Sequence, residues 1–206
     1  MIDWTRPISE REFLKGELAD EIKQPILGFW KWAFSDLRQS IIRSAFAEWL
    51  VAQILDLPSR GLRDTWGVWD LVTGSHIKIE VKSASKLQYW TWKKGKPSVI
   101  QFQGLKSRLY DEENKVFHKE KTYNSDLYIF CVQIEENYDN WNALNLDQWR
   151  FSVLIQRQLV AWNGAVLRDK KLGELASIHD AYNMSAPKFR DRTRELIREM
   201  ERVQKQ

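Results

Sequence analysis

The sequence predicts a mixed α/β domain built around a mixed β-sheet. Three observations carry that expectation: apolar residues at helical spacing before residue 57, two strand-like runs joined by a tight turn within 65–82, and two later apolar runs with helical segments behind them. A chain of 206 residues suits one domain with a sizeable core. No internal repeat, low-complexity tract or interdomain linker is visible. One domain over 1–206 is therefore expected, its core spanning about 36–155 with helical additions at both ends.

Residues 8–24 and 30–56 read as helical. Ser35 is a candidate cap for the second helix, whose apolar positions include Ile42, Phe46, Trp49 and Leu50. A second stripe runs Ile41, Ala45, Glu48, Ala52, Leu55, so Glu48 falls in line with small and apolar residues. A carboxylate in such a stripe either reaches solvent at the rim or has a partner such as a cation. After Pro58-Ser59-Arg60-Gly61 comes Thr65–Val72, apolar on both sides, as suits a strand covered on both faces. Thr73-Gly74-Ser75-His76 reads as a tight turn. Ile77–Lys82 then alternates strictly, with Ile77, Ile79 and Val81 on one face and Lys78, Glu80 and Lys82 on the other. Leu127–Ile134 reads as a third strand and Trp149–Ile155 as a fourth. Helices are expected near 173–182 and 187–204, the latter capped by Ser185 with Pro187 in its first turn.

Composition narrows the function classes. Hydrophobic residues make up 43% and charged residues 29%, ordinary for a globular protein. Tryptophan is the outlier at 11 copies; most should pack, and any exposed beside basic residues could stack on bases. The net charge of +4 permits a phosphate-backbone partner without demanding one. Cys131 is the only cysteine, which excludes an internal disulfide and a cysteine-based zinc site. No apolar run approaches bilayer length, and Met1-Ile2-Asp3-Trp4 lacks the character of a signal peptide, so no membrane association and a cytoplasmic location are expected. His76, His118 and His179 have no metal-ligand spacing, and phosphate loops and nucleophile elbows are missing.

The chemistry-bearing positions are Asp70, Glu80 and Lys82. Nine residues separate Asp70 from Glu80, and one separates Glu80 from Lys82. Two carboxylates on neighbouring strands can share a hard divalent cation, with the Val81 carbonyl, phosphate oxygens and waters filling other positions. Lys82 could hold the attacking water, stabilise charge on the phosphate, or act as a base; sequence leaves these roles open. Lys-x-Glu-x-Lys alone is commonly a solvated strand face with cross-strand charge pairs. Asp70 shifts the balance, because it interrupts a strand that has no solvent face. Geometry adds a condition. A two-residue turn at Gly74-Ser75 would set Asp70 opposite Ile79 and point it away from Glu80. A shared face needs an odd-length loop or a bulge, pairing Asp70 with Lys78, and Gly74 could supply the left-handed residue.

These residues resemble the PD-(D/E)xK nuclease superfamily, with Asp70 as the motif aspartate and Glu80-Val81-Lys82 as the ExK element. Trp69, where many members have proline, departs from the pattern. The resemblance covers roughly 36–134 and implies a restriction-endonuclease-like αβββαβ core with a mixed central sheet flanked by helices. It implies Mg²⁺, replaceable by Mn²⁺, held by Asp70, Glu80, the Val81 carbonyl and the helix glutamate Glu48. Gln88, six residues after Lys82, matches a glutamine that some branches use to orient a water or phosphate; an exposed structural glutamine is the equal alternative. The implied activity is a DNA endonuclease of restriction or defence type. Double-strand cutters of this superfamily often dimerise, so a homodimer is an expectation of the same origin.

The connector from Lys86 to Lys121 holds nine Lys or Arg against four acids, with Trp90, Trp92, Phe102 and Tyr110 interleaved. Lys86, Lys93, Lys94 and Lys96 are candidate phosphate-backbone contacts, the last three at a plausible loop tip. For any single lysine there, a solvated hairpin is the favoured reading. The charges of the last helix read as intrahelical pairs on a surface helix. Two other classes stay open: a non-catalytic nucleic-acid-binding or assembly module with the same fold, and a tryptophan-rich protein-interaction surface.

Overall fold

The computed structural model describes residues 7–58, 63, 67–91, 96–111 and 113–204. Its centre is a four-stranded mixed sheet in the order β1-β2-β6-β7. These strands are β1 (Leu71–Val72), β2 (Lys78–Ser85), β6 (Leu127–Gln133) and β7 (Trp149–Ile155). β1 pairs antiparallel with β2, β2 parallel with β6, and β6 antiparallel with β7. Every residue of β6 is buried, because the strand has a neighbour on each edge and a packed layer on each face. Its unbroken apolar run is what such a position requires.

Helices cover both faces. On one, α3 (Ser40–Leu55) and α6 (Ala186–Gln204) pack over Ile79, Val81, Ile129, Cys131, Phe151 and Val153. Phe189 of α6 stacks on Phe151 with ring centroids 4.6 Å apart. On the other face, α4 (Gln156–Trp162) and α5 (Asp169–Ala176) cover Tyr128, Phe130 and Leu154. They are joined there by the short pair β3 (Gln101–Phe102) and β8 (Leu167–Arg168). A separate hairpin, β4 (Tyr110–Asp111) and β5 (Val116–Phe117), stands outside the main sheet. Two further helices, α1 (Ala19–Ile22) and α2 (Ile26–Phe34), precede α3. Among the described residues no helix is long and apolar enough to cross a membrane.

The expected helix over 30–56 is broken in two. Ser35 ends α2, its hydroxyl donating to the Lys31 carbonyl, and does not cap α3, which opens after Gln39. The Asp36 side chain accepts from the Arg38 backbone N–H at 3.1 Å, a local turn that competes with helical hydrogen bonding. Residues 8–24 hold only one helical turn, because Gly16 takes φ 114°, outside any right-handed helix. Of the expected strand over 65–72, the described residues extend only at Leu71–Val72; residues 68–70 form a bend. The element order also differs from αβββαβ. Among the described residues the crossover from β2 to β6 carries no helix, and the helix near the fourth strand, α4, follows it.

Among the tryptophans, Trp149 is fully buried and donates to the Ala143 carbonyl at 2.8 Å. Trp32 lies 84% exposed on α2, a helix with no buried residue.

Candidate active site

Leu71 pairs with Ile79 and Val72 with Lys78, leaving the five-residue connection Thr73 to Ile77. The loop is odd in length, as expected, but the paired register ends at Leu71, so Asp70 lies in the bend just before it and is not paired with Lys78. The Asp70 N–H donates to the Ile79 carbonyl at 3.0 Å. That carbonyl belongs to the partner of Leu71, so the ladder is irregular of the bulged kind at the aspartate. The left-handed residue of the turn is His76, at φ 65°, and not Gly74. Thr73 decides this: its carbonyl accepts from the His76 N–H and its hydroxyl from the Ile77 N–H, both at 3.0 Å.

Because β1 is so short, β2 has no strand partner on that side beyond the aspartate among the described residues. The Asp70 carboxylate reaches across and accepts from the Val81 N–H at 2.7 Å. The peptide groups of Ile79 and Val81 thus point to the β1 side, and the alternation of a strand sends the Val81 carbonyl the same way. Glu80 and Lys82 share the opposite strand face and pair with each other, Lys82 Nζ donating to Glu80 Oε1 at 2.5 Å. Register sets them beside Tyr128 and Phe130 of β6.

Glu48 arrives from the other side of the sheet, on α3, and meets Asp70 only around this open edge. It is 7% exposed, and its two oxygens accept a forked pair of bonds from Arg63, each 2.5 Å. Of the two alternatives that the stripe left open, solvent at the rim or a partner, Glu48 has the partner, a guanidinium. Together Glu48, Arg63, Asp70, Val81 and Lys82 line a cleft of about 300 Å³ with Ser44, Ser83, Gln101, Phe102 and Gln103. The Ser44 and Ser83 hydroxyls are 3.1 Å apart.

Asp70 is electrostatically burdened. Burial, and then the charges of Glu80 and Glu48, push its carboxyl up to about 7; the Val81 N–H and Lys82 only partly oppose this. A carboxyl so placed gains from any further positive charge. Among the described residues no group of three His, Cys, Asp or Glu side chains is gathered as a ready-made metal centre. The donor set is nonetheless chemically suited to a hard cation: the Asp70 carboxylate, the Val81 carbonyl and the Glu80 carboxylate are all oxygen donors around one sheet edge. Of the expected carboxylate ligands, Glu48 is already held by a guanidinium, that of Arg63.

Gln88 lies apart from this cleft. It follows the end of β2, and its Oε1 accepts from Arg43 Nη2 at 3.4 Å while Thr91 ties down its backbone. Arg43 is 2% exposed on α3, with its pKa lowered to about 10 by burial, so the Gln88 amide serves a buried guanidinium. Lys86 is paired with Glu136 at 3.1 Å. Lys96 is exposed, and Lys93 and Lys94 lie outside the described residues. Arg63 was not legible as a site residue. Its one signal was the need of a buried Glu48 for a cation, with nothing in the sequence to say which. Comparison with known protein families, curated proteins and solved structures gives no match for this chain.

Proposed function

We propose that the chain is a divalent-cation-dependent phosphodiesterase that hydrolyses DNA, an endonuclease of the PD-(D/E)xK, restriction-endonuclease-like kind. The observation that carries this reading is the meeting of Asp70 with Glu80 and Lys82 at an open sheet edge, where Asp70 lacks enough positive charge. Asp70, Glu80 and the Val81 carbonyl would hold Mg²⁺ or Mn²⁺, with Glu48 as an auxiliary acid beside Arg63. A cation bound there lowers the pKa of water and polarises a phosphate oxygen.

The protein's own groups supply the rest. Asp70, which lines the cleft, is held through one oxygen by the Val81 N–H, and its second oxygen would serve the cation. Lys82 brings an ammonium group to the cleft, paired with Glu80 until a phosphate competes for it. Its three donors suit a phosphate oxygen or an attacking water. Ser44 and Ser83 add hydroxyls on the same wall. A restriction or defence role, a cytoplasmic setting and a homodimer with two centres on opposite strands belong to the same reading.

One observation favours a second reading. Lys82 already neutralises Glu80 and Arg63 neutralises Glu48, which suits a DNA-binding module that needs no metal. Thermal melts with Mn²⁺ decide between them. The phosphodiesterase gains several degrees with Mn²⁺ in excess, and Glu80→Ala abolishes the gain. A binding module melts at the same temperature with or without the metal.

A further inference from the structure

A second cleft, of about 620 Å³, opens on the other side of Asp70. Trp69, Leu71 and Val72 form one wall; Arg108, Tyr110 and Phe117 form the other. Asp70 lines both clefts, so whatever occupies the larger one is continuous with the reacting centre.

The chemistry of this cleft differs from that of the centre. Tyr110 and Phe117 sit at the mouth of the β4–β5 hairpin, edge to face at 5.0 Å, and Phe117 remains 64% exposed. Neither ring belongs to either hydrophobic core. Trp69 is already covered by Lys78, whose ammonium lies 4.4 Å from the ring centroid. The hairpin acid nearest the rings, Asp111, spends its carboxylate within the turn on the Glu113 and Asn114 N–H groups and the Asn114 amide. Among the described residues, the cleft away from Asp70 is therefore mainly aromatic and apolar surface, with Ser107 and one guanidinium, Arg108.

An intact duplex offers such a surface little. Its bases present only their edges in the grooves, and its phosphates call for a row of cations. An unpaired base offers a flat π face with a phosphate one sugar away, which matches two rings beside one arginine. The volume also suits a single nucleotide.

We propose that this cleft is a stacking site for an unpaired nucleobase, so that the chain prefers single-stranded DNA, or duplex with unpaired bases, to intact duplex. The inference rests on the phosphodiesterase reading for its substrate class. Phe117 and Tyr110 hold the base, Arg108 holds its phosphate, and the next phosphodiester along the strand lies toward Asp70.

The test is fluorescence anisotropy with a labelled 20-nucleotide oligothymidine and a labelled 20-base-pair duplex, in EDTA so that nothing is cut. Wild type is expected to bind oligothymidine about tenfold more tightly than duplex, and Phe117→Ala to remove most of that preference. Phe117→Trp, which keeps a π face, is expected to restore it. Equal affinity of wild type for the two probes overturns the inference, as does a Phe117→Ala variant that keeps the full preference. Magnesium added to the same samples separates the two readings. Selective binding without cutting supports the stacking site and counts against the phosphodiesterase; cutting without selective binding does the reverse.

Discussion

At Asp70 three influences compete. Burial and two neighbouring carboxylates favour the protonated form, while the Val81 N–H and Lys82 favour the charged one, and the first group prevails. The direction has a thermodynamic consequence in the metal-free protein. The folded form keeps this proton up to a pH of about 7, whereas the unfolded chain releases it near the ordinary aspartate value of 3.8. Stability from this group is thus fully present below the unfolded value and falls as pH rises through the window between the two. Asp70→Asn, which keeps an acceptor for the Val81 N–H but no charge, is expected to be neutral at pH 4. At pH 8 it should stabilise the fold by about 1–3 kcal/mol. Urea melts at the two pH values check it.

Much of this residue-scale picture was legible beforehand. Period-two alternation put Glu80 and Lys82 on one face, and the break in an apolar strand singled out Asp70. Gln88 was not legible, because its role depends on Arg43, which arrives from a helix 45 residues earlier in the chain.

At the scale of elements, the turn between β1 and β2 controls whether the carboxylates meet. His76 adopts the left-handed conformation there because Thr73 binds the backbone on either side of it, at a cost no side chain type but glycine escapes. His76→Gly is expected to raise stability by about 0.5–1 kcal/mol and to leave the register, and so the site, intact. Differential scanning calorimetry measures the first. Sequence patterns favoured Gly74 for this role, since glycine is the usual left-handed residue; a hydrogen bond to the Thr73 side chain, three positions before His76, overruled the propensity. The break between α2 and α3 has the same character, with Ser35 and Asp36 drawing the backbone into local bonds. On the same sheet face as α3, α6 anchors through Phe189 against Phe151 of β7. Phe189→Ala is expected to cost about 3–5 kcal/mol, read as a lowered urea midpoint with an unchanged slope.

Over the whole molecule, the central sheet has a buried strand, β6, and beside it β2, whose other side is covered among the described residues only by the two-residue β1 and carries the polar groups. The two later strands were plain in the sequence because an apolar run flanked by turns has few other uses. The position of Glu48 was harder. Its stripe on α3 was visible, but α3 packs on the face of the sheet opposite Glu80, and the two carboxylates influence Asp70 only where the sheet ends. Such a meeting depends on how far β1 extends, which alternation cannot specify. The larger aromatic cleft depends in the same way on where the β4–β5 hairpin comes to rest.

The central claim is that Asp70, Glu80 and Lys82 form one hydrolytic centre. Its most direct test is cleavage of supercoiled plasmid, linear duplex and single-stranded DNA with Mg²⁺ or Mn²⁺, comparing wild type with Glu80→Ala and Lys82→Ala. Metal-dependent cutting by wild type that falls at least about a hundredfold in both variants is the predicted result. Cutting that survives undiminished in both variants, or no cutting by wild type with either metal, would contradict it.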